Sequence, residues 1–148
     1  DSLTVALIDL DHFKSINDRC GHAAGDRVLQ EFARACRVTV RDSDILGRWG
    51  GEEFLLVMPG ATLDVAMVAL ERLRSLARGI ALPVTGAGLR VALSAGLAAV
   101  EPSVTSLDEL IARADAALYH AKRDGRDLVR IADESMAAAS SGVRRSLR

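Results

Sequence analysis

Apolar residues along this chain fall into blocks with two different periods. Residues 3–10, LTVALIDL, are apolar at both alternating positions and run into acid at Asp9 and Asp11. That is the pattern of a strand covered on both faces, with carboxylates at its C-terminal end. The FKSIND stretch within residues 12–22 predicts a short turn of helix before Gly21 and His22. From about Gly25 to Val40, apolar residues recur at Val28, Leu29, Phe32, Ala33 and Cys36, which is helical spacing with one buried stripe. The RDSD cluster at 41–44 predicts a turn, and DILGRW and EEFLLVM, split only by Gly50-Gly51, predict a tight hairpin. Residues 62–79 predict a helix with Thr62 as N-cap and Gly79 near its end. GLRVALSAGLAAV at 88–100 alternates as one long strand, with a short strand expected before it near Ala81–Val84. Ser106 and Glu109 form a capping box for a helix that runs to Lys122 and stops near Gly125, and a last strand is expected at about Leu128–Ile131. Residues 133–148, rich in Ala, Ser and Gly with three arginines, read as a mobile tail outside a domain of residues 1–132.

The core of this order is βαββαβ, a ferredoxin-like α/β (α+β) arrangement with a mainly antiparallel sheet flanked by helices. Right-handed crossovers place the third core strand beside the first and antiparallel to it. Asp9 at the end of one and Glu52 at the start of the other then meet at one sheet edge, 43 residues apart in sequence.

Composition narrows the picture. The length of 148 residues suits one domain, and 49% hydrophobic content excludes disorder for the bulk of the chain. With 19 basic and 20 acidic residues the net charge is −1, which lacks the basic excess of a general nucleic-acid binder. No apolar run approaches the roughly 18 residues of a membrane span, and no charged-then-apolar leader opens the sequence. Cys20 and Cys36 are too few for a disulfide framework and lack metal spacing, so they predict free, buried thiols in a reducing cytoplasm. Phe32, Trp49 and Phe54 read as core or near-core residues.

Asp9, Asp11, Glu52 and Glu53 would gather negative charge in one small region. Proton uptake or a bound divalent cation relieves such repulsion, and an all-oxygen set without His or Cys suits Mg²⁺. On spacing alone, a surface hairpin with solvated acids fits equally well.

Gly50-Gly51-Glu52-Glu53-Phe54 resembles the signature of the GGDEF family, the diguanylate cyclases, in its GGEEF spelling. Asp9-Leu10-Asp11-His12-Phe13-Lys14-Ser15-Ile16-Asn17-Asp18, followed by Gly21-His22 and Gly25-Asp26, resembles the family's first-strand and nucleotide-pocket motif. Lys122 and Gly125-Arg126 resemble its C-terminal phosphate-side motif, so the likeness runs from about residue 3 to residue 131. It implies a fold akin to nucleotide cyclase and polymerase palm domains. It also implies two Mg²⁺ ions, with Mn²⁺ as a substitute, held by Asp9, Glu52, Glu53 and the backbone carbonyl of Leu10. Guanine recognition falls to Asn17 and Asp26, a phosphate cradle to the backbone around Phe13 and Lys14, and the triphosphate to Lys122 and Arg126. The family condenses two GTP into cyclic di-GMP with release of two pyrophosphates, across a homodimer of domains, and Glu52 is a candidate to help deprotonate the attacking hydroxyl.

Arg41-Asp42-Ser43-Asp44 resembles the family's Arg-x-x-Asp product-inhibition motif, with Arg72 as a supporting residue. Plainer roles exist for some of these residues. Lys122 and Arg126 would complement a helix dipole without any ligand, and Asn17 and Asp18 would end a helical turn. Family members usually carry a helix and a Leu-Thr-Gly-Leu-like motif before the first strand, which this sequence does not contain. An upstream sensory or receiver domain is expected in the full-length protein. The rival reading is a catalytically silent cyclic di-GMP receptor that uses Arg41 and Asp44.

Overall fold

The computed structural model describes residues 1–83, 88–104, 106–133 and 135–136. Its elements follow the chain as β1 (Leu3–Leu10), α1 (Phe13–Cys20), α2 (His22–Thr39), β2 (Ile45–Arg48), β3 (Glu53–Pro59), α3 (Leu63–Arg78), β4 (Leu93–Ala99), α4 (Leu107–Arg123) and β5 (Val129–Ile131). The five strands make one sheet in the order β2-β3-β1-β4-β5. Strand β1 is antiparallel to both β3 and β4, and only the β4–β5 pair is parallel. The ferredoxin-like core is present as expected, with β5 added at one edge.

The two-residue period of β1 explains the layers. Ala6, Ile8 and Leu10 point into a core with Val28, Phe32 and Cys36 of α2 and Leu70 and Leu73 of α3. Val5 and Leu7 point the other way, against Leu110, Ala114 and Leu118 of α4. The apolar stripe of α2 and the all-apolar run of β1 are therefore two sides of one contact. Phe32 meets Phe54 of β3 edge-on, with ring centroids 5.1 Å apart.

Helix α4 lies unusually close to β4. A Cβ on Gly96 would stand 2.0 Å from the Ala114 carbonyl oxygen and 2.4 Å from the Leu118 nitrogen. Both helix caps read from the sequence form: Thr62 Oγ1 accepts the Val65 N–H at 3.4 Å, and Ser106 Oγ accepts the Glu109 N–H at 3.1 Å.

Four expectations are corrected. Strand β4 begins at Leu93, not at 88. Val91 and Ala92 are buried ahead of the strand's first residue, and Ala92 keeps one backbone hydrogen bond, from the Asp11 N–H at 2.8 Å. No strand forms at 81–83, and Val84 lies outside the described residues. Trp49 is half-exposed where the chain leaves the edge strand β2 for the hairpin, and Cys20, at the end of the short α1, is only partly buried. The tail assigned to 133–148 lies almost wholly outside the described residues. Among the described residues no helix is long and apolar enough to cross a membrane.

Candidate active site

Strand β1 delivers Asp9 to the sheet edge, where it stands opposite Glu53 in the β1–β3 register. The next residue, Leu10, donates its N–H to the Glu52 carbonyl oxygen at 3.2 Å, so the hairpin is sewn to the end of β1. Within the hairpin the N–H groups of Trp49 and Gly50 both reach the Glu53 carbonyl, at 2.8 and 3.3 Å. The Arg48 guanidinium donates to the carbonyls of Gly50 and Gly51 and lies 5.4 Å over the Phe54 ring. Arg48 was absent from the sequence reading, although a cation beside Gly-Gly and an aromatic was there to be seen.

Helix α4 brings in the cation. Lys122 Nζ donates to Asp9 Oδ2, and each of these side chains is only 4% exposed. Burial raises the Asp9 pKa to about 6 even though Lys122 pulls it down, and the charges of Glu53 and Glu52 add to the rise. Glu53 is buried and Glu52 half-buried. Helix-dipole complementation alone would have left Lys122 in solvent; instead it is committed to Asp9.

Asp11 has a different task. Its Oδ1 accepts from Ser94 Oγ at 2.7 Å and its Oδ2 from the Asp127 N–H at 2.9 Å. Burial raises its pKa, and these two hydrogen bonds oppose the rise. Arg126 and Asp127 both adopt positive φ, 65° and 52°, in the turn after α4. Asp127 is held there by Arg74 at 3.1 Å, Arg78 at 3.2 Å and Arg90 at 3.5 Å. Asp11 and this arginine cluster together anchor the loop that presents Arg126, an arrangement that sequence spacing does not reveal.

Asp9, Leu10, Phe13, Lys14, Glu52, Lys122 and Arg126 line one cavity of about 250 Å³. Seven of the predicted site residues thus surround a single space, while Glu53 is buried and does not line it. The Lys14 ammonium itself turns outward to Asp18, at 2.8 Å. Asn17 of α1 sits over α2: a Cβ on Gly25 would lie 1.8 Å from Asn17 Oδ1 and 3.2 Å from Phe13 Cζ. Asp26 is on the same stretch of α2 but lines a neighbouring cavity of about 410 Å³ with Leu29, Arg48 and Phe54.

The residues of the Arg-x-x-Asp motif are also together, elsewhere on the surface. The Arg41 N–H donates to Asp44 Oδ2 at 2.8 Å, and its guanidinium reaches Asp44 Oδ1 at 3.0 Å and the Pro59 carbonyl at 2.9 Å. Arg41, Asp44 and Arg72 line a separate small cavity of about 130 Å³ against α3.

The donor chemistry at the sheet edge is hard oxygen, suited to a divalent cation of the Mg²⁺ type. Among the described residues no three acidic, imidazole or thiol side chains converge closely enough to hold a metal on their own. Ions of this kind are commonly bound by one or two carboxylates plus substrate phosphates, and the cavity that Asp9 lines with Lys122 and Arg126 offers room for such phosphates.

Fold and site together define a palm-like α/β domain in which carboxylates and cations line one cavity at the sheet edge. The family described as "Diguanylate cyclase, GGDEF domain" matches residues 1–139, and the chain belongs to that family. Diguanylate cyclase DgcP of Pseudomonas aeruginosa is 42% identical over 130 residues, covering 88% of this chain and 19% of that protein. The chain spans well under half the length of such curated relatives. The active GGEEF domain of a diguanylate cyclase from Vibrio cholerae superposes with a TM-score of 0.83 at 32% identity, over 90% of this chain and 85% of that one. The GGDEF domain of DgcB from Caulobacter crescentus, in complex with c-di-GMP, gives 0.80 at 32% identity, over 88% and 77% of the two chains.

Proposed function

We propose that this domain condenses two GTP molecules into cyclic di-GMP, releasing two pyrophosphates. The observation that carries the reading is the meeting of Asp9, Glu52, Lys122 and Arg126 around one cavity in a GGDEF-family fold. Asp9, Glu52, Glu53 and the Leu10 carbonyl would hold two Mg²⁺ ions, which when bound lower the pKa of the attacking 3′-hydroxyl and offset charge on the leaving pyrophosphate. Lys122 and Arg126 bind the phosphates, and the backbone around Phe13 and Lys14 closes the cradle. Asn17 and Asp26 offer the donors and acceptors that guanine's edge requires. Glu52 would accept the hydroxyl proton.

Each chain presents one such cavity, so the two-fold product calls for a second copy facing the first. GTP is the substrate, cyclic di-GMP the product, and a homodimer the working unit. The domain occupies residues 1–132, works in the cytoplasm where GTP is available, and answers to an upstream sensory or receiver domain. Arg41, Asp44 and Arg72 would bind the product and inhibit, since an Arg fork grips guanine or phosphate and a carboxylate accepts from guanine N–H groups.

Glu52→Gln tests the assignment. The amide keeps the shape and removes one ligand charge, so synthesis should fall by at least about a hundredfold with an unchanged circular dichroism spectrum. Turnover that persists with normal Mg²⁺ dependence removes Glu52 from the chemistry.

A further inference from the structure

One carboxylate is asked to serve two cations. Asp9 Oδ2 accepts from the Lys122 ammonium, and this same carboxylate is the one assigned to metal above. Both groups are almost wholly enclosed, so water does not weaken their contact. An ammonium on one carboxylate oxygen takes a lone pair that a divalent ion would use, and two cations on one carboxylate repel each other.

Helix α4 cannot move to relieve this conflict. Ala114, Ala117, Leu118 and Ala121 are fully buried, and the helix backbone rides directly on Gly96. The lysine stem can move, because it is a flexible four-carbon chain. The space open to it is the cavity that Lys122 lines together with Arg126. An ammonium leaving Asp9 needs a new anionic partner, and a phosphate group in that cavity is such a partner.

We infer that Lys122 is a resident counter-cation: it holds Asp9 closed to divalent metal until a triphosphate enters the cavity and draws the ammonium away. Metal and nucleotide then bind cooperatively, each raising the affinity for the other by the same factor. The inference rests on the metal and phosphate assignments above. It adds an order to them, because metal alone meets a site already filled by the protein's own charge.

The test reads binding and not turnover. Mn²⁺ is titrated into the protein by calorimetry, alone and with a GTP analogue carrying a methylene group between the α and β phosphorus atoms. The wild-type chain should bind Mn²⁺ alone weakly and bind it with the analogue. Lys122→Met keeps the apolar stem and removes the charge, so Mn²⁺ alone should bind on the order of tenfold tighter than in the wild type. The analogue should bind more weakly to this variant. Lys122→Arg keeps the charge and should restore the weak metal-alone affinity. If the Met variant does not fold, Lys122→Gln carries the same expectation. Metal-alone affinity that stays the same in the neutral variants overturns the inference, even while Mn²⁺ with analogue still binds and still depends on Asp9. If Asp9→Asn leaves Mn²⁺ binding with analogue intact, the metal assignment falls and the inference with it.

Discussion

Asn17 rests against Gly25 so closely that any side chain there would displace its amide. Gly25→Ala should raise the KM for GTP about tenfold, the loss of one well-made polar contact. Alanine is also a better helix former than glycine by about 1 kcal/mol, so the melting temperature should hold or rise. Steady-state kinetics with a thermal melt on the same sample checks both, and an unchanged KM would take Asn17 out of guanine recognition. Arg41 belongs to a separate cavity, so Arg41→Ala should weaken cyclic di-GMP binding and relieve product inhibition by about tenfold or more while leaving GTP affinity alone. Inhibition curves that overlay those of the wild type would contradict that role. At this scale motif residues were legible, and their partners were not. Nothing in the sequence says that Asp11 is spent on Ser94 and the Asp127 N–H, or that Lys122 is paired with Asp9 across 113 positions. Those contacts depend on how α4 and its following turn dock, and spacing carries no information about docking depth.

The elements were more legible than their ends. The mixed periods of β1 and α2 and the caps at Thr62 and Ser106 sufficed for the order βαββαβ and for Asp9 meeting the start of the third strand, where the register pairs it with Glu53 in place of the expected Glu52. The long strand expected at 88–100 failed for a physical reason. Val91 is buried by packing alone, while the Ala92 carbonyl accepts the Asp11 N–H, at 2.8 Å, beyond the end of β4. Trp49 was misplaced because an aromatic next to an edge strand need not face the core. The contact of α4 with β4 at Gly96 governs the whole site, since α4 carries Lys122. Gly96→Ala forces backbone against backbone and should cost about 3 kcal/mol or more. A urea titration should show a clearly lower midpoint, and an unchanged midpoint would mean that α4 is not seated as described.

Among the described residues, Asp9, Glu52, Lys122 and Arg126 line one cavity of mixed charge, on the side of the sheet where β1 ends and β3 begins. On the proposed function one chain would hold one triphosphate, and joining two nucleotides twice over would call for a second chain related by a two-fold axis. The Arg41 cavity lies against α3 and shares no lining residue with the cavity at that edge, so product bound there would not occupy the substrate's place. The most direct measurement follows cyclic di-GMP and pyrophosphate together, as GTP and Mg²⁺ are added over a dilution series of the protein. The account predicts two pyrophosphates per cyclic di-GMP and a rate that falls more steeply than protein concentration when the domain is dilute. Absence of cyclic di-GMP at every concentration, in protein that still binds added cyclic di-GMP, would contradict it and leave a receptor in place of an enzyme.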